Sequence, residues 1–418
     1  MRIIYTILLF FTLPFLFLRL VWKSRRQPAY RQRMAERAGY YPFKLDECIW
    51  VHAVSMGEVI ATTPLIKKIK QQYPTIPLLV TTMTPTGAAQ VQKALGDIVT
   101  HAYLPYDFPT YIHRFLKTMR PRVAVIMETE LWPNLIAACK KKNIPTCLLN
   151  ARLSEKSAQS YQRIAWIVKP MLQNISTIAT HGEKDAERFI ALGAKKENVI
   201  VTGSIKFDLE LAEDLPSKTK QLRTLFGEER FIWVAASTHE GEEEIILAAH
   251  KKLCEAEPSA LLVLVPRHPN RFDEVMKLCE KTFTTARRSV NSHTEITGEV
   301  YLGDTMGEMM LFYSAADVAF VGGSLIVRGG HNILEPAALQ KPVLSGPSLY
   351  NFTEISDMLK TAQALTIIND VDTLAAQLIR LAQNKNDREL QGARALQVVN
   401  ANRGALVKQM SVITSVFS

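Results

Sequence analysis

Twelve short runs rich in Val, Ile, Leu and Thr alternate along this chain with longer stretches of helical periodicity. A run that is apolar on both faces must be covered on both, and intervening helices do this by packing over a parallel sheet. The alternation therefore predicts parallel α/β architecture. Six runs, 49–54, 78–82, 123–127, 146–149, 177–180 and 199–202, precede a polar, strand-free stretch at 208–230, and six follow it at 231–236, 261–265, 300–302, 318–321, 342–344 and 365–368. With 418 residues the chain exceeds what one core usually holds. We expect two Rossmann-like domains, with 208–230 as the linker.

The N-terminus restricts the environment. Residues 3–18 are uncharged and apolar apart from Thr6, Thr12 and Pro14, and the run extends through Arg19 to Trp22. That is at the lower limit for a helix spanning a bilayer, which needs about 20 residues. The flank that follows carries Lys23, Arg25, Arg26, Arg31, Arg33 and Arg37, against Arg2 alone before it. The positive-inside rule then places everything after Trp22 in the cytoplasm, and the order of basic and apolar segments is the reverse of a cleaved signal peptide. An uncleaved anchor over 1–22 is expected, with a helix lying in the interface as the alternative. A net charge of +10 favours an anionic partner. Five cysteines without a CxxC pair read as reduced core thiols.

In open parallel sheets ligands bind at the carboxyl ends of strands, so polar loops there are the candidate site. Glu58, after the first run, is either a general base or a carboxylate stabilised at a helix start. Glu128 and Glu130 leave the third run as a pair of acids suited to acid, base or hydroxyl-binding roles. Lys206 can complement a phosphate or developing negative charge, or be a solvated linker lysine. In the second half, Arg267 follows an apolar run and can fork onto a phosphate or carboxylate. The loop 303–308 can present backbone groups to a base or ribose. The stretch VAFVGGSLIVRGGHNILEPAA, 318–338, reads as strand, glycine loop and helix start, with N–H groups suited to a phosphate and Glu335 suited to a ribose diol. No HxxxH, HExxH, GxxxxGK[ST] or strand-one GxGxxG is present, and no DxD stands in a loop that would hold a metal diphosphate, which argues against metal-dependent, kinase-like and dinucleotide chemistry.

Taken together, SMGE at 55–58, TTMTPTG at 81–87, LPYD at 104–107, METELWPN at 127–134, NARLS at 150–154, TGSIKFD at 202–208, STHEGEE, VPRHP, GDTMGEM and GGSL…RGGHNILEPA resemble the membrane-anchored transferases of 3-deoxy-D-manno-octulosonic acid (Kdo). The resemblance covers nearly the whole chain and departs at Ile333, where relatives often have proline. It implies a GT-B glycosyltransferase of two Rossmann-like domains facing a cleft: an anchor (1–22), an acceptor domain (23–207), a linker (208–230), a CMP-Kdo domain (231–386), and C-terminal helices (387–418) packing back on the first domain. It further implies inverting, metal-independent transfer from CMP-Kdo to lipid IVA at the cytoplasmic face of a bacterial inner membrane, without a cofactor and without a nucleic-acid partner. By similarity Glu58 is the base, Glu128 and Lys206 stabilise the transition state, and Pro266, Arg267, Met306, Gly307, Glu308, Asn332, Ile333, Leu334 and Glu335 hold CMP. The alternatives are a GT-B enzyme using another nucleotide sugar and a non-catalytic, membrane-tethered lipid- or nucleotide-binding protein.

Overall fold

The computed structural model describes residues 2–25, 27–291 and 295–417. The chain divides into two compact units, Met1–Asp208 with Arg403–Ser418, and Leu209–Asn402. Each is built on a seven-stranded, all-parallel sheet.

In the first unit the strands are β1 (Cys48–His52), β2 (Leu78–Thr82), β3 (Thr100–Tyr103), β4 (Pro121–Met127), β5 (Thr146–Ala151), β6 (Thr177–Thr180) and β7 (Val199–Val201). They are ordered β3-β2-β1-β4-β5-β6-β7. Alternation splits their side chains between two cores. Trp50, Leu79, Ala124, Ile126 and Leu148 serve one face, and Ile49, Val51, Val80, Val125, Met127 and Leu149 the other. The second core is closed by Leu406, Met410, Val412 and Ile413 of the last helix, Ala405–Phe417.

In the second unit β8 (Ile232–Thr238), β9 (Leu261–Pro266), β10 (Thr285–Arg287), β11 (Val300–Leu302), β12 (Val318–Val321), β13 (Val343–Ser345) and β14 (Leu365–Ile367) are ordered β10-β11-β9-β8-β12-β13-β14. Eight of the twelve expected runs coincide with strands to within one residue at each end; 49–54 overruns by two at His52, 231–236 and 146–149 stop two short of Thr238 and Ala151, and 123–127 starts two after Pro121. The two strands without an expected run, β3 and β10, are the edge strands at one end of each sheet. An edge strand needs less apolar sequence, and THAY and TAR carry little.

The stretch 208–230 differs from a linker. Its residues Leu215–Phe226 form a helix whose Leu215, Leu222 and Phe226 are buried in the second unit. Its charges line the outer face of an amphipathic helix, which is why the composition looked like a connector. At the other end, the helix Lys385–Ala401 stays with the second unit, and only the chain from Arg403 onward belongs to the first.

The helix Arg2–Lys23 is long and apolar enough to cross a membrane. It lies against the first unit along one stripe: Thr6 shares hydrogen bonds with Asn134 at 3.1 and 3.2 Å, Phe10 meets Phe108, and Phe17 packs edge-on against Tyr106. Leu13 and Leu20 are buried, while Ile3, Ile7, Phe11, Phe15, Leu18 and Trp22 are exposed. The basic flank is not uniformly available. Arg37 is buried over the Tyr103 ring, 4.0 Å from its centroid, and donates to the Met83 carbonyl; Arg33 pairs with the buried Glu36. Arg25 and Arg31 stay exposed, and Arg26 lies outside the described residues.

Candidate active site

Strand order reverses between β1 and β4 in the first sheet, so the loops leaving these two strands flank its topological switch point. Glu58 opens the helix Met56–Gln72 after β1, and its carboxylate accepts from the Val54 N–H at 2.7 Å and the Ser55 hydroxyl at 3.2 Å. This is a helix-start carboxylate that satisfies a backbone N–H just outside the helix. It is also unusual chemically: burial, with the nearby charges of Glu128 and Glu130, pushes its pKa up to about 7 against the two hydrogen bonds. A carboxylate so placed is half ionised near neutrality, the condition for a general base.

Glu128 follows β4 in a left-handed conformation, φ 57°, held by its N–H to the Leu149 carbonyl at 2.8 Å. Such strain in a non-glycine residue is kept only where surrounding contacts enforce it. Glu130 accepts the Trp132 indole N–H at 3.0 Å, and burial raises its pKa. Lys206, half-buried, sits in the single turn Ile205–Phe207 after β7. Asn150, at the end of β5 with φ 55°, accepts the Ile205 N–H at 3.2 Å and pairs with His181 at 2.8 Å, which ties the Lys206 turn to the sheet.

In the second unit the switch point lies between β8 and β12. The backbone there is already spoken for. The fully buried Glu242 carboxylate accepts from the N–H groups of His239 (3.0 Å), Gly323 (2.7 Å), Ser324 (3.0 Å) and Leu325 (3.0 Å). Gly323 and the two residues after it thus cradle an internal carboxylate, not a ligand phosphate. A Cβ on Gly322 would stand 2.9 Å from the Ser237 carbonyl, and Gly323 has φ 66°, so both positions require glycine to bring the loop onto Glu242.

The groups left facing outward cluster around Arg267, which follows β9. Its positive charge, after burial, lowers the pKa of His331 to about 4, and it opposes the burial that raises Glu335. His331 and His239 stack with their rings 5° from parallel, Nε2 to Nε2 at 2.9 Å. Asn332 bridges the next turn, donating to Glu335 Oε1 at 3.1 Å and accepting the Leu334 N–H at 3.1 Å. Ile333 and Leu334 are fully buried, so their side chains serve the core and only their backbone can reach a ligand. Met306 and Gly307 are exposed beyond β11, the neighbour of β9. Glu308 is held by Arg288 at 2.7 and 3.0 Å, with Thr305 as a further donor, which lowers its pKa. Its side chain therefore braces the loop. Among the described residues no group of three or more His, Cys, Asp or Glu side chains is arranged to hold a metal ion.

The expected residues thus fall into two groups, Glu58, Glu128 and Lys206 in the first unit and Pro266 through Glu335 in the second. Sequence reasoning passed over Glu242, Asn150 and the His239–His331 pair. Glu242 stands in the run Glu242-Glu243-Glu244, which reads as an ordinary acidic helix start, and only the fold shows where it points.

Residues 32–209 match the family model described as 3-deoxy-D-manno-octulosonic-acid transferase (kdotransferase). A 3-deoxy-D-manno-octulosonic acid transferase of Haemophilus influenzae is 44% identical over 417 residues, covering 99% of this chain and 98% of that protein. One of Bordetella pertussis is 33% identical over 99% of this chain and 98% of its own. In fold alone, the chain resembles the crystal structure of UDP-GlcNAc 2-epimerase from Neisseria meningitidis bound to UDP-GlcNAc, at 14% identity and TM-score 0.56 over 87% of this chain and 100% of that one. Two units on parallel sheets, each with its polar loops at a switch point, are of the GT-B class. The chain belongs to the 3-deoxy-D-manno-octulosonic acid transferase family of glycosyltransferases.

Proposed function

We propose that this enzyme moves Kdo from CMP-Kdo to lipid IVA with inversion and without a metal ion, from the cytoplasmic face of the inner membrane. The observation that carries the reading is Glu58, a carboxylate with a pKa of about 7 at the switch point of the first sheet, beside two further acids. In the reaction the acceptor hydroxyl oxygen bonds to the anomeric carbon of Kdo as the bond from that carbon to the CMP phosphate oxygen breaks. The electron pair leaves with CMP, and the hydroxyl proton goes to Glu58. Glu128 and Lys206 stabilise the transition state, and Arg267 holds CMP. The Asn332–Glu335 turn supports the nucleotide. The test is mass spectrometry of lipid IVA incubated with CMP-Kdo, protein and EDTA. Products heavier by one or more Kdo units, absent with Glu58→Gln, are expected; no mass shift with folded protein and dispersed lipid would refute the donor and acceptor assignment.

For the anchor, contacts with the first unit from Thr6 to Phe17 support a helix lying in the plane of the membrane, its apolar outer face in lipid. The exposed Arg25 and Arg31 suit the anionic leaflet. An epitope at the N-terminus should then stay protected from protease added outside intact spheroplasts and be cleaved in inverted vesicles. Cleavage in spheroplasts would establish a spanning helix.

A further inference from the structure

The last helix of the chain is fastened to the segment that carries Lys206. Gly404, with φ 98° and no side chain, cannot cap the helix Ala405–Phe417 itself. Asp208 caps it from the other end of the unit's sequence: one carboxylate oxygen accepts the Gly404 N–H at 2.7 Å and the other the Leu406 N–H at 2.6 Å. One helical turn further on, the buried Gln409 donates to the Thr202 hydroxyl at 3.4 Å. Thr202 and Asp208 bracket the Lys206 turn, and Ile205 within it is buried in the same core as Leu406, Met410 and Ile413. Lys206 is thus held on its N-terminal side by Gln409, at its centre by Asn150, and on its C-terminal side by the helix that Asp208 caps. The same core contains Val59 and Leu65 of the helix that starts with Glu58, and Met127 immediately before Glu128.

We propose that Asp208 is a positioning residue for Lys206: its carboxylate locks the C-terminal helix onto the 202–208 segment and so fixes where the lysine stands. The proposal rests on the reading of Lys206 as a transition-state group. Misplacement of such a group by a fraction of an ångström lowers kcat while leaving substrate affinity nearly intact.

A double-mutant cycle in the full-length protein tests it. Asp208→Asn is expected to lower kcat about tenfold with KM for CMP-Kdo within about twofold, and to have almost no further effect in a Lys206→Ala background, because the group it positions is gone. Equal losses in both backgrounds, or no loss in the first, would overturn the proposal while leaving the role of Lys206 standing. Full activity of Lys206→Ala would instead overturn that role, and the proposal with it. Gln409→Met, which keeps the packing and removes one fastening, gives the same cycle should Asp208→Asn fail to fold; the same three outcomes decide it.

Discussion

Gly323 donates its backbone N–H to the Glu242 carboxylate at 2.7 Å, and three further N–H groups converge on the same side chain. Hydrogen bonds to an ionised acceptor are worth about 1.5–3 kcal/mol each in net terms, and an amide in its place would turn an NH2 toward N–H donors. Glu242→Gln should therefore cost about 3 kcal/mol or more in urea denaturation. An unchanged midpoint would mean that these N–H groups find other partners.

The raised pKa of Glu58 has two consequences with definite signs. Its pKa is about 7 in the folded protein against an ordinary 4.5, so the folded state binds the proton more tightly. The stability this contributes is fully present below about pH 4.5 and lost as pH rises through about 7. Glu58→Gln should melt higher than wild type at pH 8 and match it near pH 4. Equal melting temperatures at pH 8 would place Glu58 in water.

For the reaction, the acid limb of the kcat/KM profile should have an apparent pKa near 7. Glu130→Gln removes a like charge and keeps an acceptor for Trp132, so the limb should move to lower pH. A limb that does not move would separate Glu130 from the base.

Arg267 exerts its field on both His331 and Glu335 and is itself half-buried after β9. Arg267→Ala should raise KM for CMP-Kdo by roughly 10- to 100-fold, the value of one or two charge-assisted hydrogen bonds. Arg267→Lys should recover part of this, since a lysine supplies charge without the fork. Wild-type KM in Arg267→Ala would remove it from donor binding.

Much of the scaffold was readable from residue patterns because buried parallel strands are nearly continuous apolar runs. Leu78–Thr82, Thr177–Thr180, Val300–Leu302 and Val318–Val321 coincide with the expected runs end to end. What escaped lay at a sheet edge, where little apolar sequence is needed, as in β3, or in an amphipathic helix read as a polar connector, as in Leu215–Phe226. At the site, residues placed directly at strand ends were legible from spacing, Glu58 and Glu128 among them. Glu242 was not, because three of the four N–H groups it satisfies lie some eighty residues away in sequence, on a loop that looked complete as a ligand cradle. The buried Ile333 and Leu334 show the converse: a motif that reads as one binding segment splits its side chains between core and surface.

The closing of the first unit's core by Ala405–Phe417 also sets a timetable for synthesis. When Asp208 leaves the ribosome, one face of the first sheet is still uncovered where Leu406, Met410 and Ile413 belong. At elongation rates of up to about 20 residues per second, the wait for them is on the order of ten seconds or more, during which nearly all of the second unit is made. Throughout that interval the nascent chain carries an open apolar face beside an N-terminal helix long and apolar enough to cross a membrane. The domain begun first is the domain finished last.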